Sequence, residues 1–119
     1  MQALKDEVSP TINGDGEQTR DFTFVENAVQ ANVRAFFAPD AAVNEVFNIA
    51  FGERISLNTL WVSLKQTSGK EVDAIYGPPR KGDVRDSLAD ISKGKELMGY
   101  NPKFSVEEGM RITWEHFKQ

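Results

Sequence analysis

Arginine and aspartate occur close together in two stretches of the sequence. Residues 14–21 read GDGEQTRD, and residues 79–86 read PRKGDVRD. The planar guanidinium of arginine donates two parallel hydrogen bonds to a phosphate, and an aspartate can accept from the two vicinal hydroxyls of a ribose. The two stretches together would suit a nucleoside diphosphate. Arginine and aspartate in loops also form ordinary surface ion pairs, so spacing alone leaves both interpretations open.

Residues for other kinds of chemistry are scarce. The single histidine, His116, falls in the last turn of a predicted terminal helix, where a solvated side chain is typical. The absence of cysteine excludes disulfides, thiolate zinc sites and cysteine nucleophiles. Gly14 and Gly16 begin a glycine motif, but Thr19 stands where a dinucleotide-binding motif requires glycine or alanine. We therefore expect no NAD site in that turn.

The composition is that of one globular domain with a small acidic surplus. The chain has 119 residues, 39% of them hydrophobic, and its 14 basic and 18 acidic side chains give a net charge of −4. Nucleic-acid-binding domains usually carry a basic surplus, so we expect no nucleic-acid partner. No apolar run approaches the roughly 20 residues of a membrane span, and the first ten residues lack the pattern of a signal peptide. We expect a soluble, cytoplasmic protein without a membrane partner.

Hydrophobic periodicity and turn residues predict alternating strands and helices. The predicted strands are residues 11–12, 19–24, 43–50 and 71–76, and the predicted helices are residues 1–7, 25–38, 57–68, 91–98 and 106–119. The strand over 43–50 is too continuously apolar to be exposed on one face. Two prolines and two glycines within residues 77–83 predict a loop of fixed shape.

The predicted helices carry capping residues at their ends. Ser56, Asp90 and Ser105 are expected to cap helix N-termini, the last through a capping box. Gly69 and Gly99 are expected to end helices. The alternation of elements predicts an α/β domain. So few strands make an incomplete sheet, which indicates a part of a larger fold.

Five segments follow one another in an order that resembles a known enzyme family. They read TINGDGEQTRDF at 11–22, VEN at 25–27, FNIA at 47–50, RKGDVRDSLADISK at 80–93 and LMGYNP at 97–102. This order resembles the carboxyl-terminal part of the NAD-dependent nucleotide-sugar 4-epimerases, which are extended short-chain dehydrogenases/reductases. The segment ENAVQAN at 26–32 is most similar to the branch that acts on UDP-N-acetylglucosamine in surface-polysaccharide biosynthesis.

The resemblance implies a substrate-binding region without the catalytic residues of its family. Residues 1–119 would be the small substrate domain with the last strand and helix of the Rossmann domain, and the amino-terminal NAD-binding Rossmann domain would be absent from this chain. Family catalysis uses a Tyr-x-x-x-Lys pair, but Tyr76 is followed four positions later by Arg80, and Tyr100 by Phe104. We therefore expect no catalytic residue, no bound NAD and no activity in this chain alone.

The resemblance also implies roles for individual residues. Arg20 and Arg80 would contact the diphosphate and Asp83 the ribose hydroxyls, Phe22 would flank the ribose, and the backbone around Thr11 and Asn13 would pair with uracil. Arg85 and Asp86 are expected to form a local ion pair that fixes their loop. Arg54 is expected to be solvated rather than to reach the phosphates.

The implied activity of the longer protein is isomerisation of a UDP-sugar at C4. It would act on UDP-glucose or UDP-N-acetylglucosamine with NAD. Two alternatives remain: another nucleotide-sugar enzyme of the same fold, such as a decarboxylase or dehydratase, and a non-catalytic nucleotide-sugar binding module. Without a covering domain, several apolar side chains would form an exposed patch that favours a non-native homo-oligomer. These side chains are Val29, Val33, Phe36, Val46 and Ile49.

Overall fold

The computed structural model describes residues 1–119 and contains five helices and four short strands. The helices are α1 (Gln2–Lys5), α2 (Val25–Phe36), α3 (Leu57–Ser68), α4 (Ser92–Met98) and α5 (Val106–Phe117), with a 3₁₀ turn over Asp40–Ala42. The strands are β1 (Thr11–Asn13), β2 (Thr19–Arg20), β3 (Ile55–Ser56) and β4 (Ile75–Gly77).

Ser56, Ser105, Gly69 and Gly99 begin and end helices as predicted, whereas the N-cap of α4 is Ile91 and not the predicted Asp90. The hydroxyl of Ser56 accepts from the backbone N–H of Thr59, and Ser105 forms the predicted capping box at the start of α5. Gly69 and Gly99 end α3 and α4 in the left-handed conformation, with φ of +66° and +64°. Glycine suits both positions because it has no Cβ to clash there.

The strands form two separate pairs. β1 and β4 are parallel, with Ile12 opposite Tyr76, whereas β2 and β3 are antiparallel. An isolated bridge joins Thr19 to Asp86 beside β2. The β1–β4 pair brings the turn after β1 next to the loop after β4, and these two segments form the candidate site described below.

Two small hydrophobic clusters replace a single core. The first contains Ala31, Ala42, Ala50, Ile91, Met98 and Tyr100, and the second contains Leu4, Leu64, Val72, Met110 and Trp114. The radius of gyration is 16.7 Å, whereas a compact domain of this length has one of about 13.5 Å. The molecule is therefore flat, with extents of 50 × 35 × 16 Å.

The strand predicted over residues 43–50 is wrong. Asn44 has a φ of +63°, and no backbone group from Glu45 to Ile49 takes part in a backbone hydrogen bond. A strand exists only where a neighbour pairs with it, and this chain supplies no neighbour there. Val46 is instead 82% exposed.

Two other predicted strands are shorter than their sequence patterns indicated. The strand predicted over 19–24 is confined to residues 19–20, and the one predicted over 71–76 lies at 75–77. Each continues only where a partner is in register: β2 has two residues opposite β3, and β4 has three opposite β1. The second helix ends at Phe36, two residues before its predicted end.

Helix α2 has one buried face and a second, exposed face that is apolar. Its inner face buries Asn27 and Ala31, whereas its outer face, formed by Val25, Val29, Val33 and Phe36, is exposed. The exposed patch expected from the sequence is thus present on this helix and at Val46. Ile49 departs from that expectation, because it is half-buried against the first cluster. None of the helices has both the length and the apolar character needed to cross a membrane.

Candidate functional site

A polar cleft of about 420 Å³ lies between the turn after β1 and the loop after β4. Ten residues line it: Asn13, Gly14, Asp15, Gln18, Gly77, Pro79, Arg80, Asp83, Val84 and Arg85. The two stretches that the sequence singled out for phosphate and ribose chemistry therefore face each other across one opening.

The turn over residues 14–18 is held against helix α3. Gly16 has a φ of +76°, and a Cβ at this position would lie 2.0 Å from Oδ1 of Asn58. The backbone N–H of Asn58 donates to the Gly16 carbonyl at 3.0 Å, and its side-chain amide donates to the Asp15 carbonyl at 3.0 Å. Tyr76 donates its hydroxyl to Oδ1 of Asn58 at 2.8 Å. The wall of the cleft is thus fixed by contacts outside it.

Two ion pairs join the turn region to the loop after β4. Nη2 of Arg20 lies 2.5 Å from Oδ1 of Asp83, and both side chains are about one third exposed. Nη1 of Arg85 donates to both carboxylate oxygens of Asp15, at 2.9 and 3.0 Å. The pairs connect residues 63 and 70 positions apart in the sequence.

The ion pair predicted between Arg85 and Asp86 is wrong. Arg85 turns across the cleft to Asp15, and Asp86 accepts a hydrogen bond from the hydroxyl of Thr19 at 2.7 Å. The two residues diverge because Asp86 joins strand β2 through the isolated bridge. Arg54 lies 3.9 Å from Asp86 and is half-exposed, which agrees with the expectation of a solvated side chain.

Asp15 is stabilised in its charged form. The backbone N–H of Glu17 donates to its carboxylate at 3.0 Å, and the Arg85 guanidinium adds two more hydrogen bonds. These contacts, with the Glu17 N–H contributing most, hold the pKa of Asp15 below its usual value.

The cleft contains half of the residues predicted to bind substrate. Asn13, Arg80 and Asp83 line it, and Arg20 is attached to it through Asp83. Thr11 lies two residues before Asn13 on strand β1. Phe22 lines a different, apolar cleft of about 370 Å³ with residues of α3 and α5. This structure therefore does not place Phe22 beside the predicted phosphate and ribose contacts.

Strand β1 has one unpaired edge. The Pro10 carbonyl accepts from Ile75 N–H at 2.8 Å, and Gly14 N–H donates to the Gly77 carbonyl at 3.0 Å. In this parallel register the alternate residues, Thr11 and Asn13, direct their backbone groups away from β4. They form the edge to which the sequence resemblance assigns uracil.

Sequence reasoning missed Gln18, which is one of two buried polar side chains. Its Nε2 donates to the carbonyl of Asn13 at 2.7 Å. Gln18 lies between Gly14 and Arg20 in the sequence, but the spacing of residues does not distinguish a buried glutamine from a solvated one. Asn27 is the other buried polar side chain.

The glycine turn over residues 14–16 does not fit the pyrophosphate of NAD. The only glycine-rich turn after a strand, over residues 14–16, leads to strand β2 and not to a helix N-terminus that could hold a pyrophosphate. The hydroxyl of Tyr100 is buried and donates to the Ala50 carbonyl at 2.7 Å. Burial and, less strongly, the charge of Asp21 raise the pKa of Tyr100. This tyrosine is therefore a structural residue of the first cluster.

The sequence matches one family over almost its whole length. The family described as GDP-mannose 4,6 dehydratase matches residues 1–113. UDP-glucose 4-epimerase of Mycolicibacterium smegmatis is 35% identical over 107 residues, covering 90% of this chain and 34% of the relative. UDP-glucuronic acid decarboxylase 2 of Arabidopsis thaliana is 30% identical over 118 residues, covering 99% of this chain and 26% of the relative. The chain spans about a third or less of these proteins.

Solved structures share the fold. UDP-glucose 4-epimerase of Thermotoga maritima, crystallised with UDP-glucose, superposes with a TM-score of 0.92 at 42% identity, covering 98% of this chain and 37% of that protein. UDP-glucuronic acid 4-epimerase of Bacillus cereus, in complex with UDP-glucuronic acid and NAD, superposes with a TM-score of 0.92 at 30% identity, covering 99% and 38%. The architecture described above is thus that of a part of a larger fold.

Proposed function

Since the chain belongs to the family described as GDP-mannose 4,6 dehydratase and has the fold of part of an extended short-chain dehydrogenase/reductase, we propose that its cleft binds the UDP moiety of a nucleotide sugar. The longer protein that this region would serve is a 4-epimerase acting on UDP-glucose or UDP-N-acetylglucosamine. Residues 1–119 are its carboxyl-terminal substrate-binding region.

The observation that carries the proposal is that Arg80 lines the cleft without an acidic partner. Arg20 and Arg85 are each paired with an aspartate, whereas Arg80 lines the cleft with no acidic partner within 4.0 Å. An unpaired guanidinium in a cleft presents its donors to an anion, and a diphosphate matches its planar geometry. Asp83 lies on the same wall and keeps one carboxylate oxygen free of Arg20, so it can accept from ribose hydroxyls.

The free edge of β1 supports uracil as the base. Thr11 contributes a carbonyl and Asn13 an N–H on the edge that faces away from β4. Uracil carries a ring N–H beside a carbonyl oxygen, which are the complementary groups. The base would therefore be recognised by backbone atoms, and the side chains at these positions would contribute little.

The proposal assigns this chain substrate binding without chemistry. NAD supplies reversible hydride transfer in enzymes of this kind, and its binding is assigned to residues that this chain does not contain. Here the residues named above would anchor the nucleotide. A nucleotide-sugar decarboxylase is the second candidate, since the Arabidopsis relative aligns with 99% of this chain, and it would use the same anchor.

Calorimetric titration of the 119-residue chain with UDP tests the proposal. We expect binding by the wild-type chain and a dissociation constant about ten- to a hundredfold higher for Arg80→Ala, because a hydrogen bond to a charged group contributes roughly 1.5 to 3 kcal/mol. Arg20→Ala should also weaken binding, because Arg20 pairs with Asp83, which is proposed to hold the ribose. Arg85→Ala should do so less, because its partner Asp15 has no proposed contact with the nucleotide.

Lys81→Ala is the matched control for the test. Lys81 is the exposed neighbour of Arg80, has no ion pair within 4.0 Å and does not line the cleft. Lys81→Ala changes the net charge by the same amount as Arg80→Ala. It should leave the affinity for UDP within about twofold of the wild-type value. Equal affinities of wild type, Arg80→Ala and Arg20→Ala would contradict the assignment of the cleft.

A further inference from the structure

Gln18 is a buried amide in the wall of the cleft. Only 7% of its surface is exposed, although it lines an opening formed mainly by polar residues. Its Nε2 donates to the Asn13 carbonyl at 2.7 Å, across the tight turn of residues 14–16. Burying an amide lowers the stability of the fold unless the amide forms hydrogen bonds.

The backbone around Gln18 is fixed from the opposite side. Its carbonyl accepts from the Leu57 N–H at 3.2 Å, at the start of helix α3. Two residues earlier, Gly16 accepts from Asn58 N–H at 3.0 Å. Because α3 holds the main chain on both sides of Glu17, the Gln18 side chain is directed towards Asn13.

The bond to Gln18 changes what the free edge of β1 offers to a ligand. Without it, the edge would present the carbonyl of Asn13 as an unpaired acceptor next to the Asn13 N–H. A pyrimidine carbonyl oxygen that accepts from this N–H would then face a second oxygen and be repelled. With the amide of Gln18 in place, the carbonyl is satisfied and its peptide plane is fixed.

We infer that Gln18 is a positioning residue for the nucleobase, acting by capping the Asn13 carbonyl so that the Thr11 carbonyl and the Asn13 N–H remain as the adjacent acceptor and donor that face the base. The inference rests on the proposed UDP site and deepens it, since it assigns base recognition to a residue that need not touch the base. Gln18 has no role in holding the diphosphate, which is the task of Arg80.

Comparison of a ligand that has the base with one that lacks it separates these roles. The 119-residue chain, Gln18→Leu and Arg80→Ala would each be titrated with UDP and with inorganic pyrophosphate. We expect Gln18→Leu to weaken UDP binding about five- to thirtyfold, from the loss of one buried hydrogen bond and the exposure of one unpaired carbonyl. Its affinity for pyrophosphate should change by less than about twofold. Arg80→Ala should weaken both ligands.

Gln18→Glu keeps the shape of the side chain, replaces the donor with an acceptor and adds a negative charge. It should lose UDP affinity at least as much as Gln18→Leu, since a carboxylate repels the Asn13 carbonyl. Equal losses of UDP and pyrophosphate in Gln18→Leu would overturn the positioning role, because a merely structural defect affects both ligands. The positioning role would also be overturned if Gln18→Leu left the affinity for UDP unchanged while Arg80→Ala weakened it. Failure of the wild-type chain to bind UDP would overturn the proposed function and this inference together.

Nuclear magnetic resonance of the wild-type chain gives a second measurement that does not depend on the folding of a variant. The backbone amide of Asn13 and the side-chain amide of Gln18 should shift on addition of UDP. Pyrophosphate should leave both signals in place while shifting those of the loop around Arg80. Signals of Asn13 and Gln18 that respond equally to the two ligands would contradict a base-specific role.

Discussion

The cleft and the outer face of α2 differ in their contacts with the rest of the chain. Polar groups around the cleft have hydrogen-bond and ion-pair partners, whereas the apolar side chains of the outer face are exposed. Around the cleft, Asn58, Arg85 and Asp83 reach across the fold to close hydrogen bonds and ion pairs with the turn of residues 14–20. The outer face of α2 has no such contacts, and Phe36 is 82% exposed there. Nearby in sequence, residues 45–49 leave their backbone without hydrogen-bonded neighbours.

The difference indicates that contacts within this chain fix the walls of the cleft, whereas nothing in this chain covers the outer face of α2. A wide apolar face of a helix is normally covered by another part of the protein. The relatives are about three times as long as the chain, so they have the residues to cover such a face. Variants on the two faces of α2, and in the cleft, should therefore have unequal effects.

The largest expected effect is on the inner face of α2, at Asn27. This residue is 1% exposed and donates to the Phe104 carbonyl at 2.7 Å, while its Oδ1 accepts from the N–H groups of Lys103 and Phe104. Asn27→Ala leaves three backbone groups without partners and should lower the free energy of unfolding by about 3 kcal/mol. Urea denaturation followed by circular dichroism measures the loss.

Two variants bracket the effect at Asn27. Asn27→Asp keeps the acceptor for the two N–H groups, but it loses the donor to the Phe104 carbonyl and adds a buried negative charge, so at neutral pH it should cost about 1 to 3 kcal/mol. Val29→Ala, two residues away on the outer face, should change stability by less than about 0.5 kcal/mol. If Val29→Ala were as destabilising as Asn27→Ala, the outer face would have to be covered in solution.

The second prediction concerns the turn that forms the cleft wall. Gly16→Ala places a Cβ against the Asn58 side chain, which cannot move without breaking its bonds to the turn, and it adds strain at a positive φ. We expect a loss of about 2 to 3 kcal/mol in stability and weaker UDP binding. Gly82→Ala is the control, since Gly82 has a φ of +80° and no atom within 4 Å of the added Cβ.

Gly82→Ala should therefore cost only the backbone strain, about 1 kcal/mol. The difference between the two glycine variants isolates the contact with Asn58. Equal losses would show that the packing of the turn against α3 contributes nothing to stability.

Features that depend on neighbours in sequence were predictable, and features that depend on distant partners were not. Ser56, Ser105, Gly69 and Gly99 act within one helical turn, so their residue types were sufficient to place the helix ends. Arg85 had two aspartates within reach, and only the fold selects Asp15 over its sequence neighbour.

The apolar segment at 43–50 is a second feature that depends on distant partners and was therefore mispredicted. Its residue types favour a buried strand, but none of the four strands of the chain lies beside it. The positions of the predicted site residues depend on the fold in a similar way. Arg80, Asp83 and Asn13 follow paired strands and meet in the cleft, whereas Phe22 lies beyond the end of β2 and turns to another surface.

The third prediction addresses the outer face of α2 directly. Sedimentation velocity of the wild-type chain should show concentration-dependent association, because an apolar stripe of this length is rarely exposed on soluble monomers. The double variant Val33→Ser, Phe36→Ser should reduce association and the binding of a hydrophobic dye. It should change stability by less than about 0.5 kcal/mol, since neither side chain is buried. A wild-type chain that stays monomeric and binds no dye would contradict the prediction.

The smallest expected effect is the acid dependence of the cleft. Glu17 and Arg85 hold the pKa of Asp15 below its usual value in the folded chain, so the folded state binds this proton less readily than the unfolded state. The stabilisation from Asp15 is therefore fully present above the unfolded pKa of about 4 and is lost as the pH falls through the lower folded pKa.

Asp15→Asn lacks this titration and should be less stable than the wild type at pH 6. Urea midpoints of the two proteins should converge as the pH is lowered below about 4. The convergence should be small because the Asp15–Arg85 pair is exposed to solvent and screened by salt. Added salt should reduce the difference at pH 6 in the same direction. A difference that grows as the pH falls would mean that Asp15 is protonated more readily in the folded chain, and the ion pair across the cleft would not exist in solution.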